Sequence, residues 1–264
     1  MHPYFHIFSL SIPSYGIVIL LGSVLGILLA VWRCPGSNIS RQDTFYAFLF
    51  GAIGLIIGAK VLYIIVNIRE IWEYRRLLTE NPSLYLQWLL SGGFVFYGGL
   101  LGGVASVYFY CRKYKIPFFE AMDLFAPTIA LTHAIGRIGC FLAGCCYGKH
   151  TDGPFGVTFR ESPVAPNNTP LFPVQLLESS LNFALCAVLL LYAKKSRTPG
   201  RVIGLYLSIY AVMRFFLEFL RSDSARGLVF GVSTSQIIGL LILPIGLYLL
   251  LRHELTDPVK PECP

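Results

Sequence analysis

The stretch AMDLFAPTIALTHAIGRIGCFL, residues 121–142, decides the class of this fold. It has the length that an α-helix needs to cross about 30 Å of hydrocarbon, yet it carries a histidine and an arginine in its second half. Six further apolar segments of spanning length lie on either side of it, at 14–32, 45–66, 94–111, 173–193, 202–221 and 231–251. The sequence therefore predicts an all-α, polytopic integral membrane protein with about seven transmembrane helices, as a single transmembrane domain over 1–264.

The composition excludes a soluble globular enzyme and a disordered chain. Hydrophobic residues make up 55% of the 264 residues and charged residues only 13%, and the mean hydropathy is +0.64. No Lys or Arg precedes the first apolar run and no small-residue cleavage site follows it, so we expect this segment to be retained as a span. In a membrane protein, a net charge of +7 indicates cytoplasmic loops near anionic lipid rather than nucleic-acid binding.

The orientation follows from the distribution of Lys and Arg over the connectors. One alternating set of connectors holds 11 of these residues and the opposite set holds 7. The positive-inside rule places the first set in the cytoplasm and the N-terminus outside. The long connectors 67–93 and 143–172 are then extracytoplasmic segments.

Three cations lie inside predicted spans: Lys60, Arg137 and Arg214. Each falls in the outer half of its span, where a buried cation costs at least about 2.5–3.5 kcal/mol. Structural explanations exist for all three, since Lys60 can snorkel to the interface, Arg137 can form an ion pair and Arg214 can pair with Glu218 one turn on. The alternative explanation is a site for an anion.

The segment 133–148 has a polar face beside a face of small residues. His133, Arg137 and Cys140 share one side of a helix, and Gly136 and Gly139 form an adjacent strip. Such a pattern favours a lined cavity that a lipid headgroup can approach closely. A tight helix crossing with a hydrogen-bonded histidine is the alternative.

Three cysteines, Cys140, Cys145 and Cys146, follow closely on one another. Their C-x₄-C-C spacing matches no common zinc pattern and no nearby pair of histidines completes a tetrahedron, so we expect no metal and no cofactor. Small buried hydrophobic side chains are the favoured interpretation, and a disulfide among the three stays open.

A second charged constellation lies at the end of the sixth span. Arg214, Glu218 and Arg221 are spaced to lie on one helical face, and Glu218 can neutralise one arginine. Arg137, Arg214 and Glu218 together then carry a surplus of about one positive charge. A water-poor pocket with surplus guanidinium charge suits a phosphate, which arginine binds through paired N–H donors.

The glycine-rich stretch 92–103 falls at the outer entrance of the third span. Gly98 and Gly99 would expose backbone N–H groups to a ligand or permit close helix packing. Several polar residues fall at a similar depth towards the outer leaflet, which favours a site for an anionic lipid headgroup. These residues are Tyr15, Lys60, Tyr97, Arg137 and Arg214.

Taken together, these residues resemble the prolipoprotein diacylglyceryl transferase family over nearly the whole chain. The resemblance rests on I-P-S-Y-G at the entry of the first span, F-x-x-x-G-G at 94–99, Gly-Arg-Ile-Gly-Cys-Phe at 136–141 with the later Gly148, Phe-Pro-Val-Gln-Leu-Leu-Glu at 172–178, and Arg-Phe-x-x-Glu-Phe-x-Arg at 214–221. It implies a bacterial cytoplasmic-membrane enzyme that transfers the diacylglyceryl group of phosphatidylglycerol to the lipobox cysteine of prolipoprotein signal peptides. The products would be a thioether and glycerol phosphate.

The resemblance also implies roles for individual residues. Arg137 and Arg214 would hold the phosphate and stabilise its departing oxyanion, with Glu218 orienting Arg214. The candidate substrate-binding residues are Tyr15, Gly98, Gly99, Gly136, Gly139, Cys140, Gly148, Gln175, Glu178 and Arg221, together with Lys60, which is included for its depth in the second span. Membrane lipid and the two substrates are the implied partners, and no metal is needed.

The chain departs from the family pattern at three positions. Tyr97 stands where the better-known members have the histidine expected to act as base, Cys140 replaces an asparagine and Cys145 replaces a glutamate. A base is needed because only a thiolate attacks well, and His133 is the alternative residue for this role. Two other functions stay open: an enzyme that uses the same donor with another acceptor, and a lipid-binding membrane protein without enzymatic activity.

Overall fold

The computed structural model describes residues 4–7, 10–75, 79–162, 164–196, 198–222, 228–229 and 232–252. A long helix forms at each of the seven predicted spans: α1 (Ser14–Arg33), α2 (Arg41–Val66), α5 (Phe96–Tyr114), α6 (Phe118–Ala143), α7 (Val174–Ala193), α8 (Arg201–Leu217) and α9 (Thr234–Leu251). The shorter elements are α3 (Ile68–Glu73), α4 (Pro82–Ser91) and 3₁₀ turns at Cys34–Gly36 and Glu218–Leu220. Three antiparallel strand pairs complete the described chain: β1 (Tyr4–Ile7) with β2 (Leu10–Pro13), β3 (Val157–Thr158) with β4 (Pro170–Leu171), and β5 (Leu228–Val229) with β6 (Val232–Ser233).

Six stretches of the described chain are long and apolar enough to cross a membrane: Ser14–Gly36, Arg41–Val66, Phe118–Ala143, Val174–Ala193, Arg201–Leu220 and Thr234–Leu251. The predicted class, an all-α polytopic membrane protein, is therefore confirmed. Helix α5 is less apolar than these six, because it contains a run of glycines and ends on Arg112 and Lys113. The count of seven spans and the outward N-terminus stay predictions.

Side-chain caps fix where several helices begin. Ser40 accepts a hydrogen bond from the Asp43 amide (3.0 Å) at the start of α2, and Ser233 and Gln236 form a reciprocal capping box at the start of α9. The carboxylate of Asp123, on α6, accepts from the amides of Gly200 (2.6 Å) and Ile203 (2.8 Å) at the start of α8. Because a helix N-terminus carries unpaired N–H groups and a partial positive charge, this carboxylate anchors α8 to α6.

The chain divides into two compact units, Met1–Arg33 with Met122–Pro264, and Cys34–Ala121. We call them the major and the minor unit. The prediction of a single transmembrane domain is not tested by this division and stays a prediction.

In the minor unit, α2 and α5 cross at glycines. A Cβ atom added to Gly58 would collide with the carbonyl oxygen of Gly98, and one added to Gly98 would collide with that of Gly58. An added Cβ on Gly99 would lie 3.0 Å from the Leu55 carbonyl oxygen. These contacts explain the glycine-rich stretch by close helix packing.

In the major unit, hydroxyl groups join neighbouring helices. Thr132 on α6 donates to the Gly22 carbonyl on α1 (3.2 Å), and Ser179 on α7 donates to the Ala134 carbonyl on α6 (2.8 Å). The segment that follows α6 has a small core of its own around Phe159, which is only 1% exposed. Helix α6 is therefore in contact with α1, with α7 and, through Phe141, with this segment.

Candidate active site

A buried carboxylate, that of Glu178, lies at the centre of a cluster of basic side chains in the major unit. One terminal nitrogen of Arg137, Nη2, lies 2.9 Å from Oε1 and 2.8 Å from Oε2 of Glu178. Nε2 of His133 lies 3.5 Å from Oε1, and Nη1 of Arg214 lies 3.9 Å from Oε2. Glu178 is 0% exposed, so its negative charge is compensated by these neighbours rather than by water.

Three helices bring this cluster together. His133 and Arg137 lie one turn apart on α6, Glu178 lies near the start of α7, and Arg214 lies in the last turn of α8. The hydrogen bond from Ser179 to α6 fixes the start of α7 beside the two α6 side chains. The predicted common face of His133 and Arg137 therefore points at α7.

Arg214 has a second carboxylate one helical turn on. Its Nη2 atom lies 2.8 Å from Oε2 of Glu218 and 3.3 Å from the hydroxyl of Ser235. The arrangement is the one expected from the spacing of Arg214 and Glu218. Ser235, which follows the cap of α9, was not singled out from sequence because no spacing relates it to Arg214.

The charge balance differs from the sequence-based expectation. The expected surplus counted Arg137, Arg214 and Glu218, but Glu178 contributes a second negative charge, so these four groups sum to neutral. Arg221, which is buried at 7% exposure, adds a further positive charge to the major unit. It forms an antiparallel bridge with Gly148.

Each of the two cluster arginines keeps a buried nitrogen that hydrogen-bonds to none of the described residues: Nε of Arg137 and Nη1 of Arg214. The second of these is still within ion-pair distance of Glu178. A buried N–H group without an acceptor costs about 1–3 kcal/mol. Both guanidinium groups are therefore held by carboxylates and still have donor capacity for an anion.

The two predicted small residues of α6 have different surroundings. A Cβ atom added to Gly139 would lie 3.3 Å from Cδ2 of Tyr15 and from Val18, whereas one added to Gly136 would meet nothing within 4 Å. Gly139 thus permits α1 to approach α6, with Tyr15 against it. Gly136 faces open space among the described residues.

The turn after α6 is held by backbone contacts. Gly144 and Cys146 have positive φ angles, +70° and +57°, and Nε2 of Gln175 donates to the Cys145 carbonyl (2.8 Å). A Cβ on Gly148 would collide with the Phe172 carbonyl oxygen. Gln175 and Gly148, which were expected to bind substrate, have these structural contacts.

This turn also brings three sulfur atoms together. The Sγ atoms of Cys140, Cys145 and Cys146 all lie within 4.8 Å of one another, and Nη1 of Arg137 lies 3.9 Å from Sγ of Cys140. Hydrogen bonds from Cys140 and Cys145 hold the pKa of the Cys146 thiol below its ordinary value. All three cysteines are free in the structure.

Four of the predicted site residues belong to the minor unit. Nζ of Lys60 donates to the carbonyls of Leu90 (3.2 Å) and Gly92 (3.0 Å). The two sequence-based alternatives, snorkelling to the interface and binding of a headgroup, did not include this contact. The ring of Tyr97 packs edge-on against Phe96. Gly98 and Gly99 pack against α2, so their contacts favour the packing explanation over ligand binding.

Comparison with known proteins identifies the family. A sequence model of the prolipoprotein diacylglyceryl transferase family matches residues 3–252. The chain belongs to this family. It is 43% identical over 244 residues to a phosphatidylglycerol–prolipoprotein diacylglyceryl transferase of Clostridium tetani, a match that covers 92% of this chain and 94% of the relative.

Two further relatives carry the same name. The second transferase of Clostridium perfringens is 39% identical over 243 residues, covering 92% of this chain and 91% of that one. The Finegoldia magna protein is 33% identical over 253 residues, covering 95% and 94%. The predicted family is therefore confirmed over nearly the full length of both partners in each comparison.

Proposed function

We propose that this protein transfers the diacylglyceryl group of phosphatidylglycerol to the lipobox cysteine thiol of prolipoproteins. The sulfur would form a bond to the glyceryl carbon while the bond from that carbon to the phosphate oxygen breaks. Glycerol phosphate then leaves with the electron pair, and the thiol proton passes to a base. The names of the relatives support both substrates.

One observation carries this proposal: two arginines whose side chains are only 11% and 14% exposed share a buried carboxylate, and each retains a donor for an anion. Arg137 and Arg214 would bind the phosphodiester and then stabilise the charge that develops on the departing oxygen. Glu178 would hold both guanidinium groups in place, and Glu218 would fix the second nitrogen of Arg214. Such preorganised donors need no reorientation as the bond breaks.

An apolar groove in the same unit supports a lipid donor. Its volume is about 610 Å³, and its wall includes Met213, Phe216 and Leu217, which flank Arg214 along the chain. Further residues of α8, Leu220 and leucines of α7 and α9 line the rest. A headgroup held by Arg214 would leave its acyl chains beside this surface.

The location of the protein follows from the same proposal. The enzyme would act in the bacterial cytoplasmic membrane, with its site towards the outer leaflet, where the signal peptides of prolipoproteins emerge. The charge bias of the connectors supports this orientation.

The experiment is a transfer assay with purified protein in detergent. Phosphatidylglycerol labelled in an acyl chain is mixed with a lipobox peptide, and the thioether product is identified by mass while glycerol phosphate is measured in the aqueous phase. A peptide with serine in place of the lipobox cysteine and a phosphatidylethanolamine donor are the controls. We expect product only with phosphatidylglycerol and the cysteine peptide.

Matched variants connect the activity to the cluster. Glu178→Gln should lose transfer, whereas Arg112→Ala, an exposed cation at the end of α5, should keep it. Glycerol phosphate release without peptide modification would favour another acceptor for the same donor. If a folded wild-type chain forms neither product, the proposed transfer is wrong and the non-enzymatic lipid-binding function is favoured.

A further inference from the structure

The three-cysteine cluster at the end of α6 plays no part in the reaction as proposed above. Cys140 is buried, whereas Cys145 and Cys146 are half-buried and sit in the turn that follows. The positive φ angle of Cys146 reverses the chain so that its sulfur comes back to the helix end. The sequence spacing of the three cysteines matches no common zinc motif. The turn nevertheless brings their three sulfur atoms together, which the spacing alone does not predict.

The geometry fits three thiolates around one thiophilic cation. With Zn–S bonds of about 2.3 Å, sulfur atoms in a tetrahedral site lie about 3.8 Å apart. The three Sγ atoms already lie within 4.8 Å of one another, so adjustments of less than about 1 Å complete the arrangement. A disulfide would join only two of the sulfurs and would leave the third unexplained.

We propose that Cys140, Cys145 and Cys146 form a three-thiolate site for Zn²⁺ with its fourth coordination position open. Three thiolates and a divalent cation sum to one negative charge. The Arg137 guanidinium lies 3.9 Å from Cys140, and the buried Arg221, whose positive charge is additional to the neutral arginine–glutamate cluster, compensates the site. The amide of Gln175 holds the Cys145 carbonyl and so orients the turn that carries two of the ligands. These are the supporting contacts that a metal site requires around its ligands.

The open position gives the site a chemical role, which rests on the proposed transfer function. A fourth thiol, that of the acceptor cysteine, would bind as a thiolate and release its proton to water, because a coordinated thiol is deprotonated outright. The sulfur would then attack the glyceryl carbon, and glycerol phosphate would leave towards the arginines. This role would supply the activation that the family assigns to a histidine where this chain has Tyr97.

The test measures metal before it measures activity. The protein is purified in detergent with a reductant and loaded with Zn²⁺. Excess metal is removed and the zinc content is measured. In a parallel sample, Co²⁺ loading gives a sulfur-to-cobalt charge-transfer band whose intensity follows the number of thiolate ligands. We expect about one metal ion per chain. Cys140→Ser, Cys145→Ser and Cys146→Ser should each lose it, and Cys186→Ala, a buried cysteine of α7 outside the cluster, should keep it.

Alkylation of the wild-type chain provides a second measurement that needs no variant. Bound Zn²⁺ should protect all three cysteines from iodoacetamide, as read by peptide mass. A reduced, folded wild-type chain that binds no stoichiometric metal, or that isolates with two of the three thiols oxidised and no metal, would overturn the site. Metal retained by all three serine variants would overturn it as well.

The two proposals fail in different ways. Zinc bound stoichiometrically without any transfer to the lipobox peptide supports the site and contradicts the proposed function. Full transfer by metal-free protein supports the proposed function and overturns the role of the metal in activating the acceptor thiol. Transfer that falls at least about tenfold on chelation and returns with Zn²⁺ supports both.

Discussion

Glu178 is the residue on which the buried charges of the major unit depend. The family motif at 172–178 implied a substrate-binding role for it, whereas its carboxylate contacts His133, Arg137 and Arg214. Removing one partner from a buried ion pair costs about 3–5 kcal/mol, because the remaining charge is left uncompensated. Substitutions here therefore affect stability as well as activity, so the loss of transfer expected of Glu178→Gln is read only from protein that is still folded, and a variant that keeps the charge is a cleaner test.

Arg137→Lys is the variant that keeps the charge and removes the guanidinium. Lysine can still pair with Glu178, but a point charge offers no second, fixed donor to a phosphate. We expect a loss of transfer of about 100-fold or more with the chain still folded, measured as kcat with phosphatidylglycerol and a lipobox peptide. Arg112→Lys serves as the control, and near wild-type turnover of Arg137→Lys would remove Arg137 from phosphate binding.

His133→Ala tests the base. His133 lies 3.5 Å from Glu178 and its ring centroid lies 5.3 Å from that of Tyr210, contacts that also suit a purely structural histidine. We expect turnover to fall at least about tenfold, and added imidazole to restore part of it if a proton acceptor has been lost. Tyr97→Phe should do less harm, and Tyr97→His should retain or raise activity. Full activity of His133→Ala together with an inactive Tyr97→Phe would assign the role to the tyrosine.

At the scale of elements, α6 presents glycines to two different surroundings. Gly139 is in contact with Tyr15 and Val18 of α1, whereas a side chain at Gly136 would meet nothing within 4 Å. The first position is explained by packing and the second is not. This difference separates a structural glycine from one that leaves room for a ligand.

Gly136→Ala should leave the thermal midpoint unchanged or raise it, because alanine is favoured over glycine in a helix by about 1 kcal/mol. If the headgroup lies against this face, the methyl group should raise KM for phosphatidylglycerol. Gly139→Ala provides the comparison, since its methyl group meets α1 and should lower the midpoint. A Gly136→Ala enzyme with wild-type KM would exclude Gly136 from the lipid site.

The crossing of α2 and α5 gives a second prediction for elements. Gly58→Ala places a methyl group on the carbonyl of Gly98, and helix backbones cannot yield locally without separating. We expect a lower midpoint of thermal unfolding in detergent. Gly36→Ala, whose added Cβ meets nothing within 4 Å, should show no such loss; equal midpoints for the two variants would contradict the close crossing.

For the whole molecule, the number of crossings sets the topology, since seven spans put the two chain ends on opposite sides and six put them on the same side. Helix α5 decides between these numbers. Its 19 residues are sufficient in length, and packing of its glycine face against α2 reduces the surface that lipid must solvate. We therefore keep the prediction of seven spans with the N-terminus outside.

Fusions of alkaline phosphatase and of green fluorescent protein measure this topology, because the first is active outside the cytoplasm and the second inside it. Fusions after residue 153 should show phosphatase activity, and fusions after residues 115 and 196 should fluoresce. Phosphatase activity after residue 80, between α2 and α5, and again after residue 115 would mean that α5 does not cross the membrane.

The sequence by itself determined the class of fold and the candidate residues. The length and apolarity of the segments predicted a helix at every one of the seven positions, since the hydrocarbon core sets a single length for all of them. Spacing within a helix also related His133 to Arg137 and Arg214 to Glu218, because residues three or four apart share a face. The motifs were sufficient to predict the family.

Only the tertiary structure decided how these faces meet. The position of Glu178 between two arginines depends on how α6, α7 and α8 pack, and sequence spacing carries no information across helices. The same holds for Lys60, which binds backbone carbonyls at the end of α4, and for the glycines of α5, which contact α2. The three cysteines converge in a turn where Gly144 and Cys146 both adopt a left-handed backbone conformation. The contacts around the turn decide this conformation, and the spacing of the thiols does not.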